Sequence, residues 1–224
     1  ECFKKPQNIN KIILTASGGP FRNWSDEQMK NASVQSALKH PNWKMGKKIS
    51  VDSATMMNKG LEILEAHWLF KLQNKEIDVI VHPESIIHSM VEFKDKSILA
   101  QLSNPDMSVP IAFGLSWPGR RSNQIETINW DKIRQLSFYP VDIEKFPAIK
   151  IARNVLEEGP TAGMILNTAN EIAVEAFLLR KIHFLEITET VEKILEKMAK
   201  TFTCEIKSLA EIHELHKDIH RQFS

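Results

Sequence analysis

Apolar positions along the chain change their spacing as it proceeds, and the changes divide it. Lys11 to Thr15 (KIILT) is a continuous apolar run of strand length that leads straight into a glycine turn. A strand placed there needs partners in a sheet, as though the chain began partway through a fold. Ser17, Gly18, Gly19 and Pro20 punctuate the turn. Ser25 to Gln28 then starts a short helix, with Ser25 as N-cap and Gln28 as its capping-box partner. A polar, flexible stretch to Lys48 is expected next. Ile49 to Asp52 reads as a short extended piece, and from Ser53 a helix is expected to about Leu72, because Met57, Leu61, Leu64 and Trp68 recur at spacings of three and four. Ile77 to His82 is a near-continuous apolar strand. Ile86 to Phe93 and Ser97 to Leu102 form a predicted hairpin about Lys94-Asp95-Lys96. Pro105, Pro110 and Pro118 interrupt a segment with a short helix from Val109 to Ser116, and residues 117–145 lack a clean period. From Phe146 the period is helical throughout: Ala148 to Glu158, Thr161 to Arg180, Glu186 to Lys200 and Ser208 to Phe223, with short turns that suit a small bundle.

Composition narrows the class without naming a function. With 224 residues, 42% hydrophobic and 25% charged, the chain is an ordinary globular protein of one or two domains. A net charge of +1 supplies no broad field for nucleic acid or an anionic membrane. No apolar run approaches the ~20 residues that span a bilayer. The first residues have neither a signal-peptide layout nor transit composition. Cys2 and Cys204 cannot build a disulfide framework or a paired metal spacing, so they read as incidental thiols in a reduced compartment. There is no internal repeat and no low-complexity tract.

The densest chemistry lies in residues 40–62, HPNWKMGKKISVDSATMMNKGLE. Imidazole, amide, hydroxyl, ammonium and carboxylate groups alternate there with Trp43, Met45, Met56 and Met57. Such a mixture suits a closing loop followed by a helix that grips a small anionic ligand. Asn58 and Glu62 share a helix face, Lys59 stands beside them, and Ser53 is expected near the helix start, where free N–H groups and the dipole favour phosphate. Glu62 offers an oxygen to a hard divalent cation, but no DxE, DxD or ExxE pattern supplies partners. The plain alternative is a solvated Lys59 and Glu62 with Ser53 as a cap. SGGP after a strand could cradle an anion, and is equally a structural turn. His40, with Trp43 and Met45, suits a lid that sheds water over a substrate, or simple exposure. His82 and His88 flank PESII without a third ligand in register, which favours structural roles over zinc. His213, His216 and His220 at helical spacing, with no Cys or Asp completing a set, read as a polar helix face.

These residues resemble a known family. TASGGPF at 15–21, the 40–62 block, HPESIIHSMVEF at 82–93, LSNPDMSVPIAFGLSWP at 102–118 and NTANEIAVEAFL at 167–178 are similar to 1-deoxy-D-xylulose 5-phosphate reductoisomerases over nearly the whole chain. The resemblance implies an α+β fold: a partial α/β catalytic and dimerisation domain with a small mixed sheet over 1–116, a connection over 117–145, and an all-α four-helix domain over 146–224. It implies conversion of 1-deoxy-D-xylulose 5-phosphate to 2-C-methyl-D-erythritol 4-phosphate in the non-mevalonate route to isoprenoids. NADPH would be the reductant, with Mn2+ or Mg2+ as the divalent cation. Ser17, His40, Ser53, Asn58 and Lys59 match substrate-binding positions, chiefly for its phosphate. Glu62 matches a metal ligand that also touches substrate, and Glu62, His40 and Lys59 are the expected catalytic residues. Trp43 matches the residue that covers substrate. Gly46 and Met107 match cofactor contacts. His88 matches a histidine associated with activity that acts from behind the substrate contacts. Phosphonate analogues are expected ligands, and a homodimer in the bacterial cytoplasm is expected, with a plastid-type organelle as the alternative. The family's NADPH-binding domain, and the Asp-Ser-Glu motif that completes its metal site, would precede this region. The chain alone is therefore expected to be inactive, and the other reading is a non-catalytic dimerisation or sugar-phosphate-binding module.

Overall fold

A computed structural model describes residues 8–43, 45–122, 124–203 and 206–223, so Cys2 and Cys204 lie outside the described residues. The apolar runs form strands where their spacing predicts them. β1 (Ile9–Ala16), β2 (Ile77–Val81), β3 (Ile87–Phe93) and β4 (Ile98–Leu102) form one sheet in the order β2-β1-β3-β4. β3 and β4 are the expected antiparallel hairpin, with Val91 opposite Leu99, and β1 runs antiparallel to β3, with Ile12 opposite Val91. Lys11 Nζ donates to Asp78 at 2.5 Å and the His82 N–H to the Ala16 carbonyl at 2.7 Å, so β1 and β2 run in the same direction. The sheet is therefore mixed.

Contacts divide the chain into two compact units. One holds the segment up to Ser17 with Asp78–Pro140, and the other holds Gly18–Ile77 with Val141–Ser224. This differs from boundaries at 116 and 145, because the helices that follow β1 pack on the C-terminal helices. In the sheet unit a single bridge, Val81 to Tyr139, lies along the outer side of β2. α5 (Ser108–Ser116) is the short helix expected there, and none of its residues is buried.

The helical unit contains α1 (Asp26–Lys30), α2 (Val34–Ala37), α3 (Lys47–Thr55), α4 (Met57–Phe70), α6 (Ala148–Glu158), α7 (Pro160–Leu178), α8 (Glu186–Met198) and α9 (Leu209–Phe223). Ser25 caps α1 with Gln28 closing the capping box, as predicted. α7 is the hub. Its Ala162, Ile165, Leu166, Ala169 and Ala173 are fully buried, and α3, α4, α6, α8 and α9 pack on it. Each buried Ile or Leu there contributes ~1.5–3 kcal/mol of transfer free energy. α4 lies on α6 through Gly60, where a Cβ would stand 3.0 Å from Ala152 Cβ and 3.1 Å from the Ala148 carbonyl. The buried stripe of α4 is accordingly Met57, Gly60, Ile63 and Leu64, and Trp68, expected in that stripe, is 53% exposed. Among the described residues no helix is long and apolar enough to cross a membrane.

Candidate functional site

The glycine turn fits against the helix that follows the loop. Gly18 and Gly19 have positive φ, and a Cβ on Gly19 would lie 2.4 Å from the Ser53 carbonyl oxygen. Only glycine lets this backbone approach the end of α3. Phe21 anchors the turn from inside. It is fully buried, 4.4 Å from the Trp24 ring and 4.7 Å from the Phe184 ring. Lys145 Nζ donates to the Arg22 carbonyl at 2.9 Å and to the Trp24 carbonyl. Ser17 belongs to the sheet unit, directly after β1, and is half-buried.

The structure corrects two expectations for the central block. Ile49 to Asp52 is helical, inside α3, and Ser53 sits in the last turn of that helix rather than at the start of the next. The polar stretch before Lys48 likewise contains α2. The cause lies at Asp52. Its buried carboxylate is held by Lys48 one turn earlier at 2.8 Å and by Asn170 Nδ2 of α7 at 2.8 Å, which fixes this segment as a packed helix. Burial raises the Asp52 pKa, opposed by the hydrogen bonds from Lys48 and Asn170. The chain then breaks at Met56, in the left-handed region at φ 63°, and α4 begins at Met57. Thr55 Oγ1 bridges the break, 3.3 Å from the Met57 N–H and 3.2 Å from the Val51 and Asp52 carbonyls.

The helix start therefore belongs to Asn58 and Lys59 in the first turn of α4. Lys59 is buried, its side chain only 8% exposed, and its Nζ donates to Glu62 Oε2 at 2.5 Å. The Glu62 side chain is 39% exposed. A buried ammonium at a helix N-terminus repels the dipole and calls for anions. Glu62 supplies one. Asn58, half-buried beside it, adds an amide donor.

The loop ahead of α3 is organised by its own histidine. His40 Nδ1 accepts from the backbone N–H groups of Asn42 at 3.1 Å and Trp43 at 2.9 Å. The proton is thereby placed on Nε2, and burial lowers the pKa, so a neutral ring presents an N–H donor. Trp43 is half-buried. Gly46 caps α3 and has open space where a Cβ would stand. In the sheet unit, Met107 precedes α5 and is exposed.

The two histidines of HPESIIH take structural positions. His82 is entirely buried, donates from Nδ1 to the Ser137 carbonyl at 2.9 Å, accepts at Nε2 from the Ile86 N–H at 3.1 Å, and stacks on Phe138. His88 donates from Nε2 to the Ser103 carbonyl at 3.0 Å, and burial lowers its pKa against the effect of that bond.

The described contacts thus join Gly19 with Ser53, Lys59 with Glu62, and His40 with Trp43. What the pattern missed was the support behind them, Asp52 with Asn170. Its signal was a lone amide amid the small apolar residues of TANEIA. Glu62 offers one hard oxygen to a divalent cation. Among the described residues no cluster of three or more His, Cys, Asp or Glu includes it. The residues present fit one corner of a divalent-cation site and not the whole.

Known proteins share this fold. A solved 1-deoxy-D-xylulose 5-phosphate reductoisomerase in complex with NADPH, fosmidomycin and magnesium superposes with a TM-score of 0.93 at 44% identity, covering 96% of this chain and 54% of that one. The enzyme from Zymomonas mobilis in complex with NADPH gives 0.89 at 42% identity, covering 97% and 55%. The reductoisomerase of Pelodictyon phaeoclathratiforme is 55% identical over 192 residues, 86% of this chain and 50% of its own length. That of Chlorobium chlorochromatii is 48% identical over 219 residues, 98% of this chain and 57% of its own. The chain therefore spans about half the length of the curated relatives it matches. Residues 1–70 match the 1-deoxy-D-xylulose 5-phosphate reductoisomerase C-terminal domain and residues 102–222, more than half the chain, match the DXP reductoisomerase C-terminal domain, so the chain belongs to that reductoisomerase family.

Proposed function

We propose that this chain is the phosphate-gripping part of an NADPH- and divalent-metal-dependent enzyme that converts 1-deoxy-D-xylulose 5-phosphate to 2-C-methyl-D-erythritol 4-phosphate. The observation that carries the proposal is the buried Lys59 in the first turn of α4 with only partly exposed Glu62 beside it. A phosphate there gains the Lys59 ammonium, the Asn58 amide and the helix dipole, with Ser53 as a further hydroxyl donor, and Ser17 is a further substrate-binding residue by the family resemblance. His40 donates from Nε2, and Trp43 sheds water from the bound sugar. Phosphate binding of this kind supplies remote energy for chemistry elsewhere on the substrate. Glu62 acts as one ligand among several for the cation, and Gly46 and Met107 act as contacts for the nicotinamide cofactor. His88 acts from behind. By this reading the segment 117–145 is a connection and the whole works as a homodimer, for which the unburied apolar helix α5 and the open edge of β4 provide the surface.

Replacing Lys59 by Ala in a full-length reductoisomerase carrying this sequence should raise KM about 10- to 100-fold, the value of a lost charge-assisted bond. An unchanged KM would remove Lys59 from the phosphate site. The chain by itself should not oxidise NADPH in the presence of substrate and manganese; turnover by it would show that these residues suffice. Binding of fosmidomycin without turnover would fit a sugar-phosphate-binding module equally well, so the KM of the complete enzyme decides between them.

A further inference from the structure

We propose that Glu171, His216 and His220 form a transition-metal site that pins the last helix to the hub of the helical unit. Glu171 lies on α7, while His216 and His220 stand one turn apart on α9. One ligand atom from each residue lies within 4.8 Å of the other two. Ligands at ~2.0–2.1 Å in a tetrahedron stand roughly 3.3 Å apart, so small side-chain rotations close the set. The two rings are already packed together, centroids 4.5 Å apart.

Two of the three ligands are oriented from behind. Thr168 Oγ1 donates its single proton to the Met164 carbonyl at 3.1 Å. Toward His216 Nδ1, also 3.1 Å away, it can therefore only accept. With the hydroxyl proton on that carbonyl, His216 carries its own proton on Nδ1, the tautomer that leaves the Nε2 lone pair for a metal. Asn167 Nδ2 donates to Glu171 Oε1 at 3.1 Å and steadies that carboxylate. Such outer partners characterise functional metal ligands.

Two imidazoles and one carboxylate select a borderline cation such as zinc, nickel or cobalt over magnesium or manganese, which prefer oxygen. Three protein ligands leave the fourth position for water. A groove of about 940 Å³, lined by Leu64, Trp68, Met164, Thr168 and His216 among others, reaches one of the three ligands, His216. The mechanical gain is clear from α9, in which Ile219 alone is buried. A helix with so little apolar anchoring gains most from a cross-link to α7.

The experiment is zinc titration of the chelator-treated chain by calorimetry, with thermal midpoint and the visible spectrum of the cobalt form as second readouts. One equivalent should bind with micromolar or tighter affinity, order ~10⁻⁶ M. The thermal midpoint should rise with zinc concentration, and cobalt should give the intense bands of four-coordination. His220→Gln and Glu171→Gln should each weaken zinc at least tenfold, a lower limit because loss of an outer partner alone costs about that much. His213→Gln, on the same helix outside the cluster, should change nothing. Magnesium should give no saturable heat. Absent saturable zinc binding, affinity in both ligand variants unchanged from the parent, or a weak octahedral cobalt spectrum would each overturn the site. Should His220→Gln fail to fold, the cobalt spectrum of Glu171→Gln carries the decision.

Discussion

A lysine with 8% of its side chain exposed is costly to fold around, because its charge loses hydration that one carboxylate only partly replaces. Lys59→Met keeps the volume and removes the charge. Its stability by urea unfolding should stay within about 1 kcal/mol of the parent, since Glu62 is open enough to be solvated alone. Affinity for fosmidomycin should fall about 10- to 100-fold in the same variant. Loss of stability with unchanged affinity would make Lys59 a structural residue. The histidines give a pH dependence of definite sign. Burial lowers the folded-state pKa of His40 and His88 below the usual histidine value of 6.5. The unfolded chain therefore takes up these protons first as pH falls. Their contribution is fully present above about 6.5 and is lost as pH drops toward the depressed values. His88→Gln should flatten the fall in urea midpoint between neutral and mildly acidic pH, and an unaltered slope would remove His88 as its source. Residue types were legible at this scale. Tautomers were not, because His40 Nδ1 is fixed by the N–H groups of Asn42 and Trp43 only once the turn exists.

Elements with a long period were read from the chain nearly to the residue, and α6 matches its expected span of Ala148 to Glu158. The failure at α3 has a physical cause. Ile49-Ser50-Val51-Asp52 alternates like a strand, yet Asp52 is paid for by Lys48 on its own helix and Asn170 on α7, a tertiary bond no local pattern carries. Trp68 was misplaced for a related reason, since Gly60 turns the contact face of α4 toward α6. The glycine turn tests how tightly these elements are joined. At Gly19, φ is +68° and a Cβ would meet backbone at 2.4 Å, so Gly19→Ala should cost ~2–4 kcal/mol in chemical denaturation. Gly46→Ala meets nothing within 4 Å and should leave stability within about 0.5 kcal/mol. If Gly46 contacts NADPH, the same silent substitution should raise the KM for NADPH in the full-length enzyme. An unchanged KM would leave Gly46 as a helix cap only.

For the molecule as a whole, the informative surface is apolar and open. β4 is a sheet edge, its Leu99 is 55% exposed, and α5 exposes Ile111 and Leu115 without burying any residue. An apolar edge strand is a hazard unless another chain covers it, and an apolar helix with no buried face is equally unsatisfied. β2, at the other edge, is bridged by Tyr139 of its own chain, which leaves β4 as the edge for a second copy to add to. A second copy added along β4 would bury both hydrophobic rows in one isologous contact. Sedimentation equilibrium should then return twice the 25.7 kDa chain mass at micromolar concentration. Leu99→Lys, which puts a charge on the edge, should shift the mass toward 25.7 kDa without changing the far-ultraviolet circular dichroism. A dimer that survives this substitution would place the interface elsewhere, and α5 would be the next surface to test, through Leu115→Glu. A parent chain that is already monomeric would instead mean that these apolar residues face parts of a longer reductoisomerase chain. The same mass measurement on the full-length enzyme then separates those two coverings of β4 and α5.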